Sequence, residues 1–598
     1  MSVLPLLTAF LALQGGGAKP KFSIDVYLMQ GKSPVAVKGG ESLTGEVTFV
    51  IKPITTNPIQ AIEMYVGDDL RETDGSTPYE FKLDSLSEED GPIKLRFKGF
   101  TSEGENAEKL VTLNVDNGVS LGADAHVAKG NAYLAESKFD EALTEGRIAL
   151  KADKDSVAAR LLLGRANFAK GAYDKAQKNA EDVLEVDKKN RDARELIISL
   201  NVQKAFSATS KATTDRRETV DAIKKSLMNA AKMRTAIRDE DLDGMKRDGT
   251  SIEFLDAAIK ARRYALVVDS LEKEIPNQYK RTDLVNRLVF SYLMLSRVNQ
   301  ADGLLKNLKK FGEYDAYSFA LLAVNQAELG DDNGSDEAIK EAILNSPDSL
   351  GVKTAQAYIA IKRDRAKALA DAASALLRDG EVRSEAYYFA AALANRLTQI
   401  NKGRANFEKA IRADAADHDM YVEQGNEAIS LALTPNLTAA DKDYQFEFAK
   451  AMYSTALECR PSSGQALAGI GIASLYQKKF DDAVKFTEAA TKASPNYAAA
   501  FYASAAALAA KDGELAKAYT AVVNGLTKDP GNDAYRKQKS AIESLRPALL
   551  KSRTNAMLRA EGLDARNLKG RSTPTVDNVF KYFNTTGRTP VISTPARG

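Results

Sequence analysis

The chain has 598 residues, with 83 basic and 81 acidic residues and a net charge of +2. This balance lacks the basic excess of a nucleic-acid-binding protein, so we expect no nucleic-acid partner. The chain contains one cysteine and two histidines, which excludes an intrachain disulfide and leaves few nucleophile–base pairs or metal sites. We therefore expect no cofactor, no metal and no enzymatic activity.

Residues 1–18 have the pattern of a signal peptide. The apolar run from Ser2 to Leu13 is too short to span a bilayer as a helix. Small residues at Gly16 and Ala18 suit a signal-peptidase site before Lys19, although no Lys or Arg precedes the run. We predict export to the periplasm or the cell surface, without a transmembrane segment. The alternative is a cytoplasmic protein with an uncleaved N-terminus.

Residues 19–118 alternate apolar and polar side chains with a period of two, as in "IKLRF" from Ile93 to Phe97. Clusters of Gly, Asp and Pro separate these runs, which predicts short strands in an all-β sandwich. The turn at 65–68, "YVGD", and the strand entry at 77–81, "TPYEF", resemble those of a bacterial immunoglobulin-like domain. The resemblance implies an exported protein in which this domain is a second binding module or a spacer.

A repeat of 34 residues dominates the rest of the chain. Candidate units begin 34 residues apart, at Thr282, Ala316, Leu350, Ser384 and His418. This interval is the tetratricopeptide period, in which two antiparallel helices bury their apolar faces against the neighbouring units.

Small side chains recur at the three positions of each unit where helices must approach closely. Position 8 is Gly130, Gly164, Ala323, Ala357, Ala391, Gly425, Gly471 and Ala506. Position 20 is Ala142, Ala176, Ala301, Ser335, Gly403, Ala449, Ala483 and Ala518. Position 27 is Ala149, Ala342, Ala410, Ala456 and Ala490. Together with "GNAYLAESKFDEAL" from Gly130 and "GRANFAKGAYDKAQ" from Gly164, this pattern resembles the tetratricopeptide repeat (TPR) family.

The predicted fold is thus an immunoglobulin-like sandwich followed by an all-α TPR superhelical solenoid of about ten helix hairpins. The proposed segments are repeats 1–3, the third partial (123–206), a helical insertion (207–247), further repeats (248–532), cap helices (533–558) and a disordered basic tail (559–598). A second insertion lies at 431–442. The tail contains one aromatic stretch, 576–587, for which a docking peptide and a fold-back onto the solenoid are both open.

The concave groove of such a solenoid typically binds peptides, and the resemblance assigns it positions 2, 5, 9, 12 and 13 of each unit. The groove candidates are Asn131, Leu134, Leu161, Arg165, Phe168, Tyr388, Asn395, Arg396, Asn426, Ile472, Leu475 and Tyr476. A TPR clamp for a carboxylate is not supported, because position 5 of the first unit is Val127 rather than Lys.

No catalytic motif accompanies the repeats: the sequence contains no Gly-x-Ser-x-Gly, Walker loop or His-Glu-x-x-His. Both histidines and Cys459, read as a half-buried thiol, are interpreted as packing or surface residues. We expect an exported, non-catalytic scaffold that binds protein or peptide partners in the groove. The alternatives are a cell-envelope component whose sandwich binds cell-wall polymer or self-associates, and a cytoplasmic adaptor.

Overall fold

The computed structural model describes residues 22–210, 216–378, 384–511, 514–544, 579–585 and 587–595. The predicted signal peptide, residues 559–578 of the predicted tail and the end of the cap lie outside the described residues. The chain divides into two compact units, which meet between Leu196 and Ile197.

The first unit begins with nine strands in two sheets. The strands are β1 Ser23–Gln30, β2 Ser33–Ala36, β3 Ser42–Leu43, β4 Glu46–Ile54, β5 Ile59–Val66, β6 Asp69–Asp74, β7 Tyr79–Asp84, β8 Gly91–Thr101 and β9 Asn106–Val115. One sheet has the order β2-β1-β4-β7 and the other the order β3-β9-β8-β5-β6. The strands pair antiparallel except β3, which lies parallel to β9. This arrangement is that of an immunoglobulin-like sandwich.

The two sheets enclose an aromatic centre. Phe49 of β4 and Phe81 of β7 both contact Phe97 of β8, with ring centroids 5.7 and 5.9 Å apart. Alternate residues of each strand face this centre, as the period-two pattern predicted.

The first helices follow β9, and the sandwich is bonded to them. They are α1 Ala123–Ala135, α2 Phe139–Ala152, α3 Val157–Ala169 and α4 Tyr173–Val186. The imidazole of His126 in α1 is buried, with Nε2 2.7 Å from the carbonyl oxygen of Gly118 and Nδ1 2.7 Å from Glu145 of α2. Arg147 of α2 pairs with Asp84 of β7. These contacts hold the sandwich against the first hairpin.

The second unit is built from helix hairpins. Its helices are α5 Arg191–Ser210 (which starts in the first unit), α6 Arg216–Asp243, α7 Ile252–Lys260, α8 Tyr264–Leu271, α9 Thr282–Met294, α10 Val298–Phe311, α11 Ala316–Leu329, α12 Asp332–Asn345, α13 Leu350–Lys362, α14 Ala366–Arg378, α15 Ser384–Arg396, α16 Ile400–Ala413, α17 His418–Ala432, α18 Ala439–Cys459, α19 Gly464–Tyr476, α20 Phe480–Ala493, α21 Ala498–Ala510, α22 Leu515–Lys528 and α23 (533–544). None of the helices among the described residues has the length and apolar character needed to cross a membrane.

The predicted fold class is confirmed, and the small residues explain the close packing of the hairpins. Helices begin at Thr282, Ala316, Leu350, Ser384 and His418, 34 residues apart. Every residue given above for positions 8, 20 and 27 is buried. Where position 8 is glycine, a larger residue would force its neighbours to move: a Cβ added to Gly130 would lie 2.3 Å from Leu162 Cδ2.

The two insertions that interrupt the 34-residue period lead to helices that contact each other. The insertion at 207–247 forms most of the long helix α6, and the insertion at 431–442 leads into the long helix α18, which packs against α6. Arg216 of α6 pairs with Asp441 of α18. Nearby, Phe206 and Phe407 have ring centroids 5.5 Å apart. The insertions thus form one interface within the second unit, joining hairpins that are far apart in sequence.

Part of the predicted disordered tail is ordered, and that prediction is corrected. Residues 579–585 form helix α24 (Val579–Thr585), and residues 587–595 follow it in mostly extended form. We call these two stretches the C-terminal segment. Val579, Phe583 and Ile592 are buried in the core of the second unit. The composition of the tail predicted disorder because these few apolar residues stand among many Gly, Thr and Pro residues.

Candidate partner-binding face

The first helices of successive hairpins present a row of polar and aromatic side chains to the C-terminal segment. We call this row the inner face. It consists of Tyr317, Thr354, Tyr358, Tyr388, Glu423, Gln465 and Tyr497. These residues belong to α11, α13, α15, α17 and α19 and to the residue preceding α21. One continuous peptide stretch therefore touches six consecutive hairpins.

The centre of the contact is an ion pair between Arg588 and Glu423. Nη1 of Arg588 donates to Glu423 and, at 3.1 Å, to the hydroxyl oxygen of Tyr388. The side chains of Arg588 and Glu423 are 3% and 2% exposed. Asn395 Nδ2 donates to the second oxygen of Glu423 at 3.0 Å. A guanidinium this deeply buried requires such partners, since an unpaired buried charge is strongly unfavourable.

Arg588 is held in place from its own segment as well. Its Nη2 donates to the side-chain oxygen of Asn584 and its Nε to the carbonyl oxygen of Asn584, both at 2.7 Å. The last turn of α24 therefore orients the guanidinium toward Glu423.

An aromatic cluster anchors the other end of the segment. The ring centroid of Tyr582 lies 4.2 Å from that of Tyr502 in α21 and 5.6 Å from that of Tyr535 in α23. Phe580 and Phe583 are buried beside it. Packed aromatic side chains of this size supply much of the energy of peptide recognition.

From Gly587 to Ser593, the inner face mainly holds backbone atoms. The hydroxyl of Tyr317 donates to the carbonyl oxygen of Ser593 at 2.6 Å, and the amide of Ser593 donates to Thr354 Oγ1 at 3.0 Å. Tyr358 donates to the carbonyl oxygen of Arg588 at 3.2 Å. Contacts to backbone groups do not depend on the side chains of the peptide, so the inner face positions an extended chain at several points and selects mainly through Arg588.

The electrostatics of the inner face favour neutral tyrosines around one charged pair. Burial raises the pKa of Tyr317, Tyr358 and Tyr388 well above the ordinary value, so these hydroxyls stay neutral; Tyr317 and Tyr358 donate to the segment, and Tyr388 accepts from Arg588. Burial alone would raise the pKa of Glu423, but the charge of Arg588 outweighs it and the pKa is lowered. The carboxylate is therefore the ionised partner of Arg588.

No family model matches the chain, and no curated protein matches it. Among solved structures, the APC/C hetero-tetramer Cut9–Hcn1 is 13% identical over 71% of this chain and 84% of that chain, with a TM-score of 0.36. Yeast Tom70 is 14% identical over 74% and 99%, with a TM-score of 0.35. A fibronectin(III)-like module of Clostridium thermocellum CbhA is 24% identical over 15% and 93%, with a TM-score of 0.13. Nothing about the function of this chain follows from similarity at this level.

Two predicted groove residues lie against the C-terminal segment. Tyr388 contacts Arg588, and the hydroxyl of Tyr476 accepts the amide of Phe580 at 3.4 Å. Arg396 instead donates to a carbonyl of α13 at 3.0 Å. Asn395 supports Glu423, as described above.

Three other candidates are core residues, which corrects their assignment to the groove surface. Leu161 packs with Val183, and Ile472 and Leu475 are buried in the main core of the second unit. Asn426 is also buried, where its Oδ1 accepts the hydroxyl of Tyr453 at 2.7 Å. The first helices of the second unit are covered on nearly all sides, so positions that face an open groove in an isolated unit are enclosed here.

Apart from the buried Leu161, the candidates in the first two hairpins are accessible. Asn131 is exposed, and Leu134, Arg165 and Phe168 are half-buried. Arg165 pairs with Asp192 at 3.1 Å. These four side chains are accessible among the described residues, and their role in partner contact stays a prediction.

Sequence reasoning missed most of the inner face although a signal was present. Tyr317, Thr354, Tyr358 and Gln465 occupy positions 2, 5, 9 and 2 of their units, which are groove positions of the repeat. Glu423 lies at position 6 and gave no such signal, and nothing in the sequence pairs it with Arg588.

A hydrogen-bonded Ser–His–Asp chain also went unpredicted. Nδ1 of His418 lies 2.7 Å from Asp419, and Nε2 lies 2.7 Å from the hydroxyl of Ser463. That hydroxyl also accepts the amide of Ala466 as the N-cap of α19. His418 and Ser463 are buried, and burial lowers the pKa of His418. Because Ser463 is enclosed and capped, this chain ties α17 to α19 and does not form a site for a substrate.

The remaining reactive groups are structural too. Cys459 is fully buried rather than half-buried, and burial raises the pKa of its thiol, which disfavours the reactive thiolate. The described residues contain no cluster of His, Cys, Asp and Glu that would hold a metal ion.

Proposed function

We propose that this protein is an exported, non-catalytic scaffold that binds protein or peptide partners through the first helices of its repeats. The observation that carries the proposal is the inner face itself, which holds an extended stretch of polypeptide across six hairpins. Tyrosine hydroxyls directed at backbone carbonyls, with one buried ion pair for selectivity, are features of a peptide-binding surface.

The first two hairpins, in the first unit, carry side chains of the kinds that bind proteins. Asn131, Leu134, Arg165 and Phe168 combine an amide, aliphatic, guanidinium and aromatic group on α1 and α3. Arg and aromatic side chains are enriched where proteins bind each other. We assign these residues to partner contact.

The sandwich acts in this proposal as a spacer or second binding module. Its bonds to α1 and α2 through Gly118 and Asp84 support a fixed orientation relative to the first hairpin. Export is proposed from the pattern of residues 1–18.

Site-specific photo-crosslinking tests partner binding. A benzophenone amino acid placed at Asn131 or Phe168 of the full chain in its native host should yield discrete crosslinked protein species. The matched control is Lys178, an exposed residue of α4. Absence of crosslinks at Asn131 and Phe168, or an identical set of products at Lys178, contradicts the proposed partner surface.

Export is tested separately by the N-terminus of the protein purified from the native host. A mature chain that begins at Lys19 supports export. A chain that begins at Met1 or Ser2 contradicts it.

A further inference from the structure

We propose that the inner face is an arginine-selective peptide-binding site and that the C-terminal segment occupies it as an exchangeable intramolecular ligand. The inference rests on the proposed function and names the class of partner: a peptide with aromatic residues followed, five to eight positions later, by an arginine. Such a partner would compete with the C-terminal segment for the inner face.

The C-terminal segment is held in the way that a bound peptide is held. The extended part of the segment, residues 587–595, contains Pro590 and Pro595 and forms no strand pairing. Its backbone is satisfied instead by side chains of the inner face, such as Tyr317 and Thr354. Bound peptides are held in this way, whereas an added strand would be held by a backbone ladder.

The guanidinium of Arg588 lies in a pocket formed by Glu423 and Tyr388. Glu423 and Tyr388 both receive Nη1 of Arg588, while the other nitrogens of the guanidinium bind Asn584. A planar guanidinium with five donors can bind Glu423 and Tyr388 of the inner face through one nitrogen while its other nitrogens bind Asn584 of its own segment, and a lysine ammonium cannot make both sets of bonds at once. The inner face and the segment together therefore favour arginine over lysine.

Other groups near Glu423 would remain in the pocket after Arg588 leaves it. Asn395 stays bonded to Glu423, and Arg396 interacts electrostatically with the same carboxylate. Arg588 in turn disfavours the charge on Arg396, which its departure would relieve. Loss of the segment therefore leaves Glu423 with a hydrogen bond and a nearby cation instead of an isolated buried charge, which makes exchange feasible.

A cleavable full-length protein tests the exchange. A specific protease site is inserted within residues 545–578, between α23 and the C-terminal segment, and the chain is cut after folding. A fluorescent synthetic peptide of residues 576–598 is then added, and its binding is followed by fluorescence anisotropy. We expect saturable binding to the cut protein and at least about 10-fold weaker apparent binding to the uncut protein, where the tethered segment competes at high effective concentration.

Peptide variants test the selectivity. In competition against the labelled peptide, Arg588→Ala should be about 100-fold weaker because it leaves Glu423 without its charged partner. Arg588→Lys should be about 10-fold weaker. Lys581→Ala is the matched control, since Lys581 is an exposed cation of the same segment, and it should compete like the parent peptide.

Several outcomes would overturn the inference. If the cut protein stays folded and neither releases its segment nor takes up the labelled peptide over days, the segment is a permanent core element. Equal binding to cut and uncut protein places the peptide elsewhere, and equal competition by Arg588→Ala removes the arginine selectivity. Concentration-dependent dimers that exchange their segments would make a second copy the occupant. The crosslinks at Asn131 and Phe168 report on the proposed function independently of all these results.

Discussion

Arg588 and Glu423 form a buried ion pair although 165 positions separate them in the sequence. Glu423 belongs to the middle of a hairpin repeat, and Arg588 to the last residues of the chain. The pair therefore fixes the C-terminal segment to the interior of the repeats. Substitution of either residue should loosen the segment measurably.

We predict that Arg588→Ala loosens the C-terminal segment. Removing one partner of a buried pair costs about 3–5 kcal/mol when the other charge is left isolated, and we expect the low end, about 3 kcal/mol, because Asn395 and Arg396 stay near Glu423. In hydrogen-exchange mass spectrometry, peptides that contain Phe580 and Ser593 should lose protection, since their amides bond to Tyr476 and to Thr354 of the repeats. The exposed Lys581→Ala is the control and should change nothing. Unchanged protection of Ser593 in Arg588→Ala would show that the ion pair does not hold the segment.

The hairpins were predictable from the sequence because their packing is local. The contacts that enclose the inner face were not predictable, because they join residues far apart in the sequence. Gly471 and Ala483 meet within one unit, so a fixed spacing reveals them. Arg588 and Glu423 are 165 positions apart, and no periodicity marks either residue. For the same reason, Ile472 was predicted as a groove residue, although the second unit buries it.

Position 8 of the repeat provides a direct test of the close-packing argument. A Cβ at Gly471 would lie 2.5 Å from Thr487 Cγ2 and 3.1 Å from the carbonyl oxygen of Ala483. We predict that Gly471→Ala destabilises the protein by about 1–3 kcal/mol through overpacking. Gly303→Ala is the matched control, since this glycine within α10 has nothing within 4 Å of an added Cβ. That variant should gain about 0.5–1 kcal/mol from helix propensity.

The readout for both glycine variants is the apparent melting temperature of the full chain by scanning calorimetry. Gly471→Ala should melt below the parent protein and Gly303→Ala at or above it. If Gly471→Ala melts as high as Gly303→Ala, close approach at position 8 does not limit the packing of this hairpin.

Two adjacent arginines should differ sharply in their contribution to stability. Arg262 is largely buried, with Nη1 3.1 Å from Asp419 and Nη2 3.7 Å from Asp417. Arg263 pairs with Asp239, but both side chains are about a third exposed. We predict a loss of about 3–5 kcal/mol for Arg262→Ala, which removes the buried cation that faces both Asp417 and Asp419. Arg263→Ala should lose at most about 1 kcal/mol.

Limited proteolysis of the full chain at native temperature distinguishes the two arginine variants. Arg262→Ala should speed cleavage within α7, α8 and α17, because the pair joins these hairpins across 157 positions of sequence. Equal cleavage rates in the two variants would contradict a structural role for the buried pair.

The stability of the second unit should fall as pH rises through neutrality, in part because of Glu427. This side chain of α17 lines an apolar cavity of about 140 Å³ together with Phe407 and Phe448. Burial raises the pKa of Glu427 from 4.5 to about 7. An acid with a higher pKa in the folded than in the unfolded protein binds a proton on folding. Its contribution is therefore complete below about pH 4.5 and is lost as pH rises through about 7.

Glu427→Gln tests this pH dependence because glutamine resembles the protonated acid and cannot ionise. At pH 5 the variant and the parent protein should melt together. At pH 8 the variant should be more stable by about 1–3 kcal/mol, since the parent must bury a carboxylate there. Glu341→Gln, at an exposed glutamate of α12, is the control and should follow the parent at both pH values. Melting curves of Glu427→Gln that stay parallel to the parent from pH 5 to pH 8 would show that Glu427 does not titrate in this range. The cause of any remaining pH dependence would then lie in other buried acids, foremost Asp417, the N-cap of α17, whose pKa burial also raises.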